Sequence, residues 1–374
     1  MTRVLVVDGS RFVRRVVADV LCGNGYEVQT ETTIDDALER VLAFDPDVIT
    51  LDGDLLDSRS TVVVNRIMSV KPTPILVLTA PSDSNPAAAL GLLDNGAVDV
   101  VRKPDPSETG AIATLIDRVE ERIDVLAEAS ISTLALAQAT AAANRAGPAN
   151  ARRMVVTTGE THADTREEAV PLDGTYVEHP TFILGASTGG PKLVEQILER
   201  LPTAIEAKGV VVQHMPKQFT SRFAERLDDA SEYAVTEAEE ETVIGPGEIA
   251  VAPGGYHLEV VGNENGHLLL ECSDSVRKNG VRPSIDVAMC SAAETVDDPL
   301  VGVVLSGMGA DGAEGIRAIS TAGGVTFAQD ESTSAVFGIP GKAIETGCVD
   351  EVVPADQIPD RLVSAFSTDG EYDG

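Results

Sequence analysis

Two periods of hydrophobic and polar positions alternate along the chain. Short continuous aliphatic runs suit strands buried on both faces. Between them, apolar residues recur three and four positions apart, as on one side of a helix. Arg3-Val4-Leu5-Val6-Val7-Asp8 is a strand run ending on a carboxylate, followed by a helical pattern from about Ser10 to Leu21. Val28–Thr30 reads as a strand and Ile34–Ala43 as a helix; Val48–Asp52 is a strand ending in a second carboxylate, with a helix over 60–69. Ile75–Thr79 is a strand ending in a hydroxyl, followed by a helix over 86–95. Val98–Arg102 is a strand ending at Lys103, with a helix from 108 to about 128. Strand and helix alternating without a hairpin predict a parallel, doubly wound, flavodoxin-like sheet.

From about Ala129 the pattern fades. Residues 129–146 continue softly helical in Ala, Ser, Thr, Gln and Leu, and 147–180 carry Gly, Pro, Thr and mixed charge with no sustained period. Such a stretch buries too little apolar area to offset its ordering entropy, which predicts a flexible linker. The expected division is a first domain at 1–125, the linker at 126–178 and a second domain at 179–374.

The alternation then resumes. Phe182-Ile183-Leu184-Gly185 leads through Ala186-Ser187-Thr188-Gly189-Gly190 into a helix starting at Pro191. Gly209–Gln213 is a strand ending on His214, followed by a helix over about 217–228; Gly247–Ala252 is a further strand. Tyr256–Val261 and His267–Glu271 alternate around Asn263-Glu264-Asn265-Gly266 and predict a hairpin. Ser284 caps a helix to about Thr295, with Asp286 in its first turn. Leu300–Leu305, a helix over 313–321 and Gly324–Ala328 follow. This predicts a second doubly wound parallel sheet, Rossmann-like, with one antiparallel hairpin. The fold class is α/β throughout.

Composition narrows the function. Of 374 residues, 60 are Asp or Glu and 28 are Lys or Arg, a formal net charge of -32. That balance excludes nucleic acid or an anionic membrane surface as the main partner. So acidic and lysine-poor a chain resembles proteins of salt-accumulating halophiles. Cys22, Cys272, Cys290 and Cys348 lack CxxC spacing and are expected to be small buried residues. No apolar segment is long enough to span a bilayer and no signal-peptide pattern opens the chain, so a cytoplasmic protein without membrane insertion is expected.

Candidate chemistry follows from topology, because carboxyl ends of parallel strands share one sheet edge. In the first half that edge gathers Asp8, Asp52, Thr79 and Lys103. Two carboxylates, a hydroxyl and an ammonium suit a magnesium ion and a transferring phosphoryl group. In the second half it gathers Ser187, His214 and Asp311: a nucleophile, a base and an orienting carboxylate. Glycines around Asp311 could point peptide N–H groups at an oxyanion. A glycine-rich turn can equally hold a phosphate, and a serine there can simply cap a helix. A dinucleotide-binding oxidoreductase is one alternative, but no suitably placed acidic residue follows for a ribose. A catalytically silent adaptor gated by phosphorylation is another.

Val-Val-Asp-Gly-Ser at 6–10, Pro-Asp-Val-Ile-Thr-Leu-Asp at 46–52, Val-Leu-Thr-Ala at 77–80 and Val-Arg-Lys-Pro at 101–104 resemble the receiver domain of two-component response regulators. The resemblance implies Asp52 as phospho-acceptor, Asp8 and Asp52 as magnesium-site carboxylates, Thr79 as switch hydroxyl and Lys103 as the phosphate-pairing lysine. Gly9 stands where the family has a second acid, the loop after Asp52 reads Gly53-Asp54-Leu55-Leu56-Asp57-Ser58-Arg59, and Val100 takes the place of an aromatic switch residue. Weaker magnesium binding is expected, with Asp54 as a partial substitute.

Gly-Ala-Ser-Thr-Gly-Gly-Pro at 185–191, Gln-His-Met-Pro at 213–216, Ala-Pro-Gly-Gly-Tyr-His at 252–257, Arg-Pro-Ser-Ile-Asp at 282–286 and Ser-Gly-Met-Gly-Ala-Asp-Gly at 306–312 together resemble the chemotaxis protein-glutamate methylesterases, the CheB family. That implies Ser187, His214 and Asp311 as a catalytic triad, with backbone N–H groups at Thr188 and Met308 as oxyanion donors. It implies hydrolysis of glutamate γ-methyl esters on chemoreceptors, deamidation of receptor glutamines, no cofactor for the hydrolysis, and a chemotaxis histidine kinase as phosphodonor.

Overall fold

The computed structural model describes residues 1–55, 60–79, 97–103, 111–128, 169–172 and 174–368. The predicted helix at 86–95 and most of the predicted linker lie outside them. The first sheet runs β1 (Arg3–Val7), β2 (Glu27–Glu31), β3 (Val48–Asp52), β4 (Ile75–Thr79) and β5 (Ala97–Arg102), in the order β2-β1-β3-β4-β5. Each neighbouring pair is parallel. Strand alternation sends Leu5, Val7, Ile49, Leu51 and Val77 to one face and Val4, Val6, Val48, Leu76 and Leu78 to the other. Both faces are covered, which is why these strands read as unbroken aliphatic runs. Edge strand β2, Glu-Val-Gln-Thr-Glu, is polar and only partly buried.

Helix α1 (Arg11–Gly23) is capped by Ser10, whose hydroxyl accepts from Val13 N at 3.4 Å. Helix α2 (Ile34–Phe44) is capped by Thr33, accepting from Asp36 N at 3.2 Å. Helices α3 (Ser60–Val70) and α4 (Ala111–Glu128) complete the described part of this unit.

The second sheet contains β6 (Thr181–Ala186), β7 (Lys208–Gln213), β8 (Ala234–Glu237), β10 (Glu248–Val251), β13 (Leu300–Val304), β14 (Val325–Gln329) and β15 (Glu351–Val353). Its order is β15-β14-β13-β6-β7-β10-β8, all parallel. Helices α5 (Gly190–Arg200), α6 (Lys217–Ala230), α7 (Ile285–Thr295), α8 (Ala313–Thr321), α9 (Gly338–Ile344) and α10 (Ile358–Ala365) surround it. Phe182, Leu184, Val211 and Val303 fill one core, and Ile183, Val210, Val212 and Val304 the other. Glycine is required inside β7, since a Cβ on Gly209 would lie 2.3 Å from the Phe182 ring.

The predicted hairpin belongs to a larger antiparallel sheet: β9 (Glu241–Ile244) pairs with β12 (His267–Ser273), which pairs with β11 (His257–Glu264). Its turn is narrower than predicted, two residues, Asn265 and Gly266, both at positive φ (50° and 78°). The cysteines correct another expectation. All four are free; Cys22 is exposed and the other three are half-buried, with Cys272 and Cys348 at the margin of an apolar cluster.

The two units touch through apolar side chains. Phe219, at the start of α6, is fully buried in a cluster with Leu51, Val64 and Ile67. Ala335 and Val336 join a cluster with Leu115 and Val119 of α4, with Met308 packed against it.

Candidate active site and phosphoryl site

Ser187 sits where β6 gives way to α5. Its N–H donates to Ser306 O at 3.0 Å, and its carbonyl accepts from Gly190 N and Gln213 Nε2, each at 2.8 Å. Gly189 takes φ 79°, and a Cβ there would lie 2.7 Å from Ala335 Cβ. A Cβ on Gly307 would lie 2.7 Å from Ser187 Cβ, so the glycine brings the 306–308 segment against the serine. Thr188 follows Ser187 and Met308 follows Gly307, so both predicted oxyanion segments border the hydroxyl-bearing residue.

His214 follows β7, its N–H donating to Ala186 O at 3.0 Å. Its ring Nε2 lies 2.8 Å from Asp311 Oδ2. A carboxylate can only accept, so Nε2 carries a proton, and in the neutral ring the lone pair is on Nδ1.

Asp311 is buried and heavily solvated by the protein. Oδ1 accepts from Ser284 Oγ at 2.7 Å, Asn279 Nδ2 at 3.1 Å and Asp286 N at 3.2 Å; Oδ2 also accepts from Ile285 N at 2.6 Å. The start of α7 therefore points its free N–H groups at this carboxylate. Burial opposes the charge, but hydrogen bonding and attraction from His214, with Ser284 and Ile285 N, outweigh it and hold the carboxyl down at about 2.

Two details differ from the sequence reading. Gly312 N donates to Asp286 Oδ1 at 2.8 Å, so this N–H next to Asp311 is already taken and does not face an oxyanion. Asp286 lies in the first turn of α7 as expected, but its carboxylate is aimed at the start of α8, accepting also from Gly315 N at 2.9 Å. Burial, with the charge of Asp311, raises its pKa. Asn279 was not among the candidates; nothing in its loop has a period that marks it. His257 is fully buried, with Nε2 on Val276 O, and His267 is exposed, with Nδ1 on Asn265 O.

The receiver residues meet at the edge of the first sheet. Asp8, Asp52 and Thr79 are buried. Lys103 Nζ donates to Asp52 Oδ1 at 2.5 Å and Asp8 Oδ2 at 3.1 Å. Burial disfavours the ammonium, but Asp52 and Asp8 outweigh it and raise its pKa. Asp8 is raised by burial and by the charge of Asp52, against the pull of Lys103. Thr79 Oγ1 is buried without a hydrogen-bond partner among the described residues. Asp54 is exposed, its backbone N–H on Asp52 Oδ1. Among the described residues no group of three or more His, Cys, Asp or Glu gathers as metal ligands. Two adjacent buried carboxylates nevertheless suit magnesium, which commonly takes one or two carboxylates together with phosphate oxygens and water.

The receiver contacts the residues on either side of the serine turn, Thr188 and Met308. Thr188 Oγ1 donates to Asp99 Oδ2 at 2.6 Å and accepts from Arg122 Nη1 at 3.0 Å. Arg122 also pairs with Asp99 at 3.3 Å and approaches Met308 Sδ at 3.9 Å. Ser187, next to Thr188, retains 3% of its accessible surface.

Residues 4–114 match the response regulator receiver domain and 182–362 match CheB methylesterase. The chain is 44% identical to the protein-glutamate methylesterase/protein-glutamine glutaminase of Halobacterium salinarum, over 98% of this chain and 99% of that one. It is 36% identical to the protein of the same name from Archaeoglobus fulgidus, over 96% and 97% of the two chains. The crystal structure of the Thermotoga maritima CheB methylesterase catalytic domain is 39% identical and covers 51% of this chain and 98% of that one, with a TM-score of 0.47. Among the described residues, no helix is long and apolar enough to cross a membrane. With a receiver match ahead of a methylesterase match and full-length likeness to such enzymes, the chain belongs to the CheB family of protein-glutamate methylesterases/protein-glutamine glutaminases.

Proposed function

We propose that this chain hydrolyses glutamate γ-methyl esters on chemoreceptors in the cytoplasm, and deamidates receptor glutamines, under control of its receiver. The observation that carries the reading is the 2.8 Å contact between His214 Nε2 and Asp311 Oδ2 beside the Ser187 turn. It leaves Nδ1 to take the Ser187 proton as Oγ attacks the ester carbonyl. The tetrahedral oxyanion is met by the N–H groups of Thr188 and Met308. His214 returns the proton to the leaving methoxide, releasing methanol. Water then attacks the acyl-serine, again losing its proton to His214, and the glutamate carboxylate and free serine are regenerated. A glutamine follows the same path with ammonia as leaving group. Asp311 holds the imidazolium throughout, and the hydrolysis uses no cofactor.

In the receiver, residues 1–125, Asp52 accepts a phosphoryl group from a chemotaxis histidine kinase. Asp8 and Asp52 would hold Mg²⁺, which supplies charge neutralisation during that transfer. Lys103 pairs with the phosphoryl oxygens and Thr79, free to hydrogen-bond, registers them. The catalytic unit spans 179–374, joined by the linker at 126–178. In the resting chain the Asp99–Arg122–Thr188 contact keeps the receiver over the serine, and phosphorylation of Asp52 weakens it.

The test is methanol release from methylated receptor membranes at high potassium chloride, wild type against Ser187→Ala. Release by wild type alone supports the esterase and its nucleophile. Equal release by both would remove Ser187 from its role, and no release by either, with a phosphodonor present, would favour a silent adaptor.

A further inference from the structure

Two carboxylates lie side by side behind His214, and the triad uses only one. Asp286 is as deeply buried as Asp311, each about 2% exposed. Between them stands the amide of Asn279, whose Nδ2 donates to Asp286 Oδ2 at 2.7 Å and to Asp311 Oδ1 at 3.1 Å. One NH₂ group thus spends a proton on each carboxylate. The other oxygen of Asp286 is taken by Gly312 N and Gly315 N, the first turn of α8 immediately after Asp311. Asn279 achieves this from an exposed loop with its backbone in the left-handed region, φ 52°, a conformation tolerated by asparagine and concentrated at functional sites.

We infer that Asn279 and Asp286 are positioning residues for the hydrolysis, forming a bridge that fixes the rotamer of Asp311 and offsets the repulsion between the two buried carboxylates. The inference rests on the triad reading above. Asp286 anchors the chain on the C-terminal side of Asp311, and Asn279 pins Oδ1, which leaves Oδ2 on His214. Without the shared donor, repulsion in this dry site drives a proton onto Asp286, the one of the two that burial already raises, and its hold on Gly312 N and Gly315 N weakens. Asp311, no longer anchored on its C-terminal side or pinned at Oδ1, then leaves the orientation that puts Oδ2 on His214. Other titratable groups near the pair are Lys278, ion-paired with Glu314, Cys290 on α7, and buried His257, which feels the charge of Asp311 while its Nε2 is on Val276 O.

Asn279→Gly deletes the amide without backbone strain, because glycine accepts the same φ. Asn279→Asp keeps the shape and turns a donor into an acceptor. Both are compared with wild type as full-length chains with a phosphodonor present. The readouts are methanol release across pH and the rate at which a fluorophosphonate labels Ser187, the serine oxygen displacing fluoride from phosphorus. The expected result is kcat lower by between about 10- and 100-fold with KM little changed, and an acidic limb displaced to higher pH, further in Asn279→Asp. Labelling should fall in parallel. Asn279→Gly combined with Asp286→Asn should recover part of the loss, since removing one charge removes the need for the bridge. Wild-type kcat and an unmoved limb in both Asn279 variants would overturn the inference. So would losses that follow the thermal midpoint alone with the limb in place. Labelling of Ser187 that depends on Asn279, in a chain that releases no methanol, would leave the bridge standing and overturn the methylesterase reading. No labelling of wild-type Ser187 would overturn both.

Discussion

Thr188 Oγ1 donates to Asp99 Oδ2 at 2.6 Å, tying the residue after Ser187 to the last described strand of the receiver sheet. Arg122 closes the triangle, bonded to Thr188 and paired with Asp99. Both charged side chains are mostly buried, at 14% and 25% exposure, so the pair is less screened than a surface ion pair. Asp99→Ala and Arg122→Ala should each raise basal methanol release without a phosphodonor. A loss of 1.4 kcal/mol of preference for the closed arrangement corresponds to about tenfold. Basal activity equal to wild type in both variants would refute the clasp.

Gly9 determines how many carboxylates stand beside Asp52 at the proposed phosphoryl site. A Cβ there would lie 3.2 Å from Leu55 Cδ2 and 4.0 Å from Asp52 Oδ2. The closer neighbour is the end of a leucine side chain that can yield, so Gly9→Asp is expected to fold and to add a third anion beside Asp52. Magnesium affinity by titration calorimetry should rise by roughly tenfold or more. Asp52→Asn should lose half of the existing carboxylate set and abolish any response of methanol release to a phosphodonor. Continued activation of Asp52→Asn would move the phospho-acceptor elsewhere.

Sequence alone located the strand ends because parallel topology is forced by alternating aliphatic and amphipathic stretches. Asp8, Asp52, Thr79 and Lys103 come to one edge from that rule, and Ser187, His214 and Asp311 to another. What was not legible has no periodicity. Strand β8, Ala-Val-Thr-Glu, buries only Val235, and α9 opens Gly-Ile-Pro-Gly, which reads as a loop. Asn279 lies 32 positions from Asp311 in an irregular loop, and Thr188 lies 89 positions from Asp99. Such contacts depend on how elements are stacked, which no local pattern encodes. Ser284 was legible as a cap, and its hydroxyl does accept from Val287 N; its second bond, donated to Asp311, needed the fold.

Lys208 gives a stability test outside both sites. It is fully buried at the start of β7, its Nζ donating to His179 O at 2.7 Å and Asp298 Oδ2 at 3.0 Å. Burial lowers its pKa despite Asp298. Asp298→Ala strands an ammonium in an apolar layer and should cost about 3–5 kcal/mol. Lys208→Met removes the charge that needs a partner, while Asp298 keeps Asn263 Nδ2 at 2.8 Å and partial access to water, so it should cost within about 1 kcal/mol. Denaturant unfolding of the two variants checks the asymmetry; equal losses would mean that packing of the lysine stem, not its charge, sets the cost.

Asp311 links activity to acid stability, with a sign that can be worked out. Its carboxyl is held at about 2, below its ordinary 3.8, so the folded state binds the proton less readily than the unfolded chain. The group therefore adds roughly 2 kcal/mol above about pH 4, and this is lost as pH falls towards 2. Asp286 and Asp8 act in the opposite sense, since burial raises both and their charges cost stability at neutral pH. Whole-protein acid unfolding mixes these contributions, so the informative comparison is wild type against Asp311→Asn, melted across this range. The stability advantage of wild type should shrink as pH falls from about 4. Asparagine also turns an N–H towards His214 Nε2, which favours the tautomer with its proton on Nδ1 and leaves no base for Ser187. Methanol release should then fall by roughly 10³- to 10⁴-fold at neutral pH. A variant that keeps its activity while losing the acid-dependent stability would make Asp311 a fold anchor and remove it from the triad.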